Sequence, residues 1–142
     1  MSFDTMAGAI ITTLNNSSAI AALLSGTGKS LIVRKGFKPK SEIHISELPV
    51  AMILRPGRKI TIESARQYEN NFVLLVGIHC ENRESAPGQL DNLENAIEDS
   101  LVNNFTLSGA AVDLHFVDSA NDMGKFHPVY FTSMQFNVSS RK

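Results

Sequence analysis

The chain has 142 residues, 43% of them apolar, which is enough for one hydrophobic core without disulfide or metal staples and too much for a disordered segment. A formal net charge of -1 excludes a general nucleic-acid coat and a membrane-surface protein. The single cysteine, Cys80, excludes an intrachain disulfide and a cysteine zinc site, so a reducing compartment is expected.

Residues 3–24 are expected to be helical, in two pieces. Phe3, Met6, Ile10 and Leu14 recur every three or four residues and form one apolar stripe. The polar run Asn15-Asn16-Ser17-Ser18 breaks the pattern and can cap a second piece, Ala19–Leu24, which Ser25-Gly26-Thr27-Gly28 stops. Ser30–Arg34 is a short strand candidate, and Lys35–Ser41, with Gly36 and Pro39, reads as a loop. Pro49–Leu54 is a second strand candidate entered through a proline. Pro56-Gly57 predicts a turn, followed by a third extended stretch over Lys59–Glu63.

The strongest strand signal covers Arg66–Glu81. Its middle, Phe72–Ile78, is nearly all apolar, as expected for a strand covered on both faces. A helix follows, with Ser85 as its cap, Pro87 in its first turn, Asp91 and Glu94 near its positive end, and Leu90, Leu93, Ile97 and Leu101 as its stripe. Ala110–Val117 and Val129–Val138 are the last strands, joined by Ser119–His127. Val112, Leu114 and Phe116 share a face in the first; Tyr130, Thr132, Met134, Phe136 and Val138 share one in the second. The order of elements predicts a single α+β domain over 1–142, a largely antiparallel sheet with two main helices packed on one face. No run is long and apolar enough to span a bilayer, and the N-terminus lacks the pattern of a signal peptide, so assembly in the cytoplasm is expected.

Three constellations invite a chemical reading. Gly26-Thr27-Gly28-Lys29-Ser30 ends like a phosphate-binding loop, but Leu23 stands where that loop needs its first glycine, and the segment follows a helix instead of opening one. His79 and His115 lie on different predicted strands and could meet across a sheet. Cys80, next to His79, points to the opposite face, so a metal or thiol site is not expected. Glu94 and Glu98 share a helix face, as a paired-acid hydrolase requires, yet a solvated or partner-facing acidic surface is by far the better explanation. No cofactor, no metal and no catalytic group is expected.

Charge is distributed unevenly. From Lys29 to Lys59 there are eight basic residues and two acidic ones, giving +6 and leaving -7 for the remainder. Phe37 is the only aromatic in this segment, which disfavours base stacking and leaves a solvated loop, or a partner- or phosphate-facing surface.

The layout resembles that of the tail-terminator (tail-completion) proteins of long-tailed phages. The residues carrying the resemblance are the opening helix ending at Ala22-Leu23-Leu24, the strand entry Glu47-Leu48-Pro49-Val50 continuing as Ala51-Met52-Ile53-Leu54, the long strand Gln67–Cys80, the helix Gln89–Val102 and the alternating segment Tyr130–Val138. The resemblance implies a non-enzymatic virion protein at the tail–neck junction, assembled in the host cytoplasm. It implies a ring, usually of six copies, that caps the tail tube, stops its polymerisation, meets the head connector, and lets genomic DNA pass non-specifically through its lumen. Arg34, Lys35, Lys38, Lys40, Arg55, Arg58 and Lys59 are then the expected interaction surface, suited to acidic faces on neighbouring subunits. Another phage neck or head–tail adaptor protein shares these expectations apart from the terminating role. A small α+β enzyme or ligand-binding domain is the third class, and would need a pocket of convergent polar groups.

Overall fold

The computed structural model describes residues 2–62 and 67–141. Three α-helices and a five-stranded, mostly antiparallel sheet form the expected α+β fold. The elements are α1 (Phe3–Asn15), α2 (Ser18–Leu24), β1 (Ile32–Lys35), β2 (Val50–Ile62), β3 (Gln67–His79), α3 (Ala86–Asn103), β4 (Asp113–Asn121) and β5 (Val129–Arg141). The sheet order is β1-β2-β3-β5-β4. Glu63 and Arg66, which bound two of the expected strands, lie outside the described residues.

The period-two pattern of β3 and β5 produces the core. Even-numbered residues of both strands face the helices, so Phe72, Leu74, Val76, Met134, Phe136 and Val138 are buried against Met6, Ile10 and Leu14 of α1 and Leu90, Leu93, Ile97 and Leu101 of α3. Four aromatic rings run through this layer. Phe3 stacks on Phe72 at 6.1 Å, Phe72 on Phe136 at 5.6 Å, and Phe136 meets Phe116 at 5.2 Å. The helix-facing side also buries a polar group, Asn70. Its Nδ2 donates to the Val138 carbonyl and to Ser140 Oγ, both at 2.9 Å, and its Oδ1 accepts from Arg55 Nη1 at 3.4 Å.

Caps and side-chain links position the helices. Ser2 Oγ accepts from the Thr5 N–H at the start of α1, and Ser17 Oγ from the Ile20 N–H at the start of α2. That second cap accompanies a 53° bend between the two helices. Ser17 also bonds to Ser100 of α3, and Asn104 Nδ2 donates to Thr13 Oγ1 at 2.9 Å, so the junction of α1 and α2 is tied twice to the C-terminal end of α3. Ser85 occupies the cap position of α3, but its side chain accepts from no helix N–H at that end. Asn82 Oδ1 accepts from the Glu84 and Ser85 N–H groups instead.

Three expectations need correction. Pro56-Gly57 is not a turn. β2 runs through it to Ile62 with a register shift between Leu54 and Gly57, because a bulge absorbs the proline without ending the pairing with β3. β4 starts three residues later than expected, and Val112 is partly exposed ahead of it instead of sharing the core face with Leu114. The apolar middle of β3 is not covered equally on its two faces: Leu74 and Val76 are fully buried, while Val73 and Leu75 are only half-buried on the outer face.

That outer face carries a second, smaller core. β1 pairs with β2 in parallel, so the chain must travel back along the sheet between them. Residues 36–49 make that return and bring Ile43 and Leu48 onto Val50, Met52, Leu75, Val129 and Phe131. Gly77 belongs to this packing: a Cβ there would lie 2.7 Å from Phe131 Cε1, so the ring occupies the space a side chain would need.

The aromatic row gives a direct stability prediction. Phe136→Ala should cost about 3–5 kcal/mol through lost burial and the cavity left between Phe72 and Phe116. Val117→Ala, at an exposed position of β4, should stay within about 0.5 kcal/mol. Urea unfolding of the two variants measures the contrast, and equal midpoints would contradict this assignment of the core.

Candidate interaction surfaces

The seven basic residues divide into two groups. Arg34, Lys35, Lys38 and Lys40 surround the β1 edge; Arg55, Arg58 and Lys59 lie along the far half of β2. Within each group the side chains have different surroundings. Arg34 sits beside Met52 on the outer face, and its Nε is buried with no partner among the described residues. Lys35 points to the helix side and reaches Asp4 in the first turn of α1 at 3.3 Å. Lys38 donates to both carboxylate oxygens of Glu47, at 2.9 and 3.1 Å, and so clips the ends of the 36–49 segment together. Lys40 is exposed on a single-turn helix over Lys40–Glu42. The Arg55 guanidinium lies 5.7 Å over Phe3, and that of Arg58 lies 4.5 Å over Tyr68, both on the helix side. Lys59 is exposed on the outer face, in register with Glu69.

The three chemical constellations are not assembled. His79 pairs with Val129 at one end of β5 and His115 with Asn137, eight positions along it, so the two histidines do not meet. His79 Nε2 lies 3.1 Å from Glu81, while the buried Cys80 thiol donates to the Asn82 carbonyl at 3.3 Å, consistent with opposite sides of the strand end. No group of three or more metal-ligating side chains occurs among the described residues. In the glycine-rich segment, Thr27 Oγ1 donates to the Leu24 carbonyl and accepts from the Lys29 N–H, closing the turn after α2 with its own groups. Asp91 and Glu94 line a cavity of about 440 Å³ with Arg83 and Tyr130, but Glu98 is not among its walls.

The sequence reading misses an apolar groove on the outer face, about 470 Å³ in volume. Phe37, Met52, Leu75, Phe126 and Phe131 line it, with Lys38 and Lys40 on one rim and Asp122 on the other. Asp122 holds its own rim in place. Its carboxylate accepts from the Gly124 N–H at 3.0 Å and from the Phe131 N–H at 3.2 Å, so the β4–β5 connection cannot fold away without losing both bonds. The groove's walls come from segments far apart in the chain, the 36–49 return, β2, β3, the β4–β5 connection and β5, and the local signals were no more than apolar residues at odd-numbered positions of β3 and β5. No single helix among the described residues is long and apolar enough to cross a membrane.

No protein-family model matches the chain, and no curated protein sequence does. Its fold is similar to that of a chain in the solved virion of a native gene transfer agent particle. The two superpose with a TM-score of 0.63 over 96% of this chain and 94% of that one, at 16% sequence identity. At that identity the likeness is one of fold.

The Lys38–Glu47 clip predicts a pH response. The hydrogen bond from Lys38, with its charge, holds the Glu47 carboxyl below the usual carboxylate range, and burial only partly opposes this. A folded-state pKa below the unfolded one means that the clip contributes fully above the ordinary carboxylate pKa and is lost as the pH falls through the lowered value. Amide exchange protection in residues 38–48 should therefore drop on acidification. In Glu47→Gln it should already be low at neutral pH and change little with acid; parallel pH profiles in the two proteins would exclude the clip as the cause.

Proposed function

We propose that this chain is a structural protein of a phage-type virion, and specifically a tail terminator: a ring that caps the tail tube, stops tail polymerisation and offers the head connector its joining surface. The observation that carries the reading is the end-to-end likeness to a chain of a gene transfer agent virion. It supports a virion role, and the terminator role rests on the layout of helix, long strands, helix and alternating final strand. The partners in this reading are further copies of the chain, the tail tube protein and the neck connector, with genomic DNA passing through the lumen without sequence readout. Another neck or head–tail adaptor protein is the second reading, because the likeness is to a virion particle and singles out no position along its tail. An adaptor would need a different chain to assemble; a terminator assembles with itself.

The contact surface proposed for assembly comprises Arg34, Lys35, Lys38 and Lys40 beside β1, with Arg55, Arg58 and Lys59 along β2. Four of these already hold partners within the monomer, Lys35 at Asp4, Lys38 at Glu47, Arg55 at Asn70 and Arg58 over Tyr68, which leaves Arg34 and the exposed Lys40 and Lys59 for contacts between copies.

Light scattering of the purified chain across concentration and salt should find a discrete ring near six copies. A monomer at every concentration would end the self-assembling reading. Charge reversal at Arg34, Lys40 and Lys59 together should abolish the ring while circular dichroism stays native, and an intact ring in that variant would remove this surface from the assembly.

A further inference from the structure

We propose that the two end strands of the sheet are complementary halves of a head-to-tail contact, with β1 of one copy pairing antiparallel to β4 of the next. The inference rests on the ring reading and adds the surfaces that build it. Sheet order places β1 and β4 at opposite ends, each with one side of its backbone facing no other strand. Directions also match. β1 is parallel to β2, and the steps to β3, β5 and β4 are each antiparallel, so β1 and β4 run in opposite senses. A neighbour standing alongside in the same orientation therefore presents β4 antiparallel to β1, the pairing with the better hydrogen-bond geometry.

Charge separates this pairing from the alternatives. Residues 29–40, around β1, contain Lys29, Arg34, Lys35, Lys38 and Lys40 and no acidic residue. Residues 113–122, covering β4 and its exit, contain Asp113, Asp118 and Asp122 and no Lys or Arg. Two β1 edges repel each other, as do two β4 edges; only the mixed pair attracts. The side chains also project on a common face. Arg34 is in register with Met52, and Asp113 and Asp118 with Ser139 and Gln135, all on the outer side of the sheet. In a sheet continued across the contact, Arg34 of one copy would stand on the same face as the two aspartates of the next.

Each edge further exposes one β-branched apolar side chain, Ile32 at 42% on β1 and Val117 at 57% on β4, which pairing would cover. Charges and the bulge between Phe116 and Asp118 are also devices that keep a lone edge from aggregating. Protection of that kind needs no match between the two ends, whereas here the signs are opposite and the faces coincide. An interface joining different patches of identical subunits is heterologous, and closes into a ring when its rotation is a fraction of a full turn.

A charge swap tests the pairing on the full chain. One variant carries Arg34→Glu and Lys40→Glu, both on the outer side, the other Asp113→Lys and Asp118→Lys. Each alone should associate at least about tenfold more weakly than the native chain, since like charges then face each other. An equimolar mixture should recover the native mass by light scattering, because every contact is again between opposite charges; a chain carrying all four changes should recover it unaided. If either double variant loses its circular dichroism, the pair Arg34→Glu and Asp118→Lys repeats the test with a smaller change. Variants that assemble like the native chain, or a mixture that stays dissociated, overturn the edge pairing and leave the ring reading intact. A native chain that is monomeric throughout overturns both.

Discussion

The ladder between β3 and β5 is the constraint on which the remaining structure depends. Thirteen consecutive residue pairs, from Gln67 opposite Arg141 to His79 opposite Val129, run without a register shift. Because strand side chains alternate, one uninterrupted register assigns every residue of both strands to a face. The even-numbered side becomes the floor on which α1, α2 and α3 pack, and the odd-numbered side becomes the outer surface. A slip of one residue would turn Phe72 and Phe136 out to solvent and bring Glu69, Asn71 and Gln135 under the helices. The buried Asn70, bonded to Val138 and Ser140 across the ladder, adds a polar contact that only this register satisfies.

Two surfaces follow from that division. The helix side is closed by apolar packing and by the serine and asparagine links to α1 and α2. The outer side is closed only at one end, where the return from β1 to β2 covers Val50, Met52 and Phe131 and leaves a groove beside them. Toward the other end it is polar, with Lys59, Glu69, Asn71, Gln135 and Asn137 around a shallow depression. The result is one sealed face, one partly open face and two oppositely charged edges. Several titratable groups are used locally, as Glu47 is by Lys38 and Asp122 by the backbone of its own loop.

Elements with a strong local period were legible in the amino-acid sequence. The stripe of α1, its break at Asn16-Ser17, the stripe of α3 and the alternation of β5 are local consequences of which residues must be buried, and they appear within a residue or a few of their expected bounds. Legibility ended where long-range pairing overrode a local signal. Pro56-Gly57 carries a turn signature, yet β3 supplies a partner on both sides of it, and the cost of a bulge is smaller than that of abandoning the second half of the ladder. β4 is an end strand with one neighbour, so little of its outer half is buried, and the alternation that marks a strand fades after Phe116.

The uneven charge was plain from the order of residues, with the basic excess between Lys29 and Lys59. Sequence alone determined the two periodicities, the α+β class and that imbalance, because each depends on residues close together in the chain. Only the tertiary structure decided that β1 and β4 are the free ends, that Arg34 and the aspartates of β4 share a face, and that Phe37, Met52, Leu75 and Phe131 meet in one groove. Strand order, and the return path that a parallel pair imposes, are choices among distant segments, and no local pattern of residues encodes them.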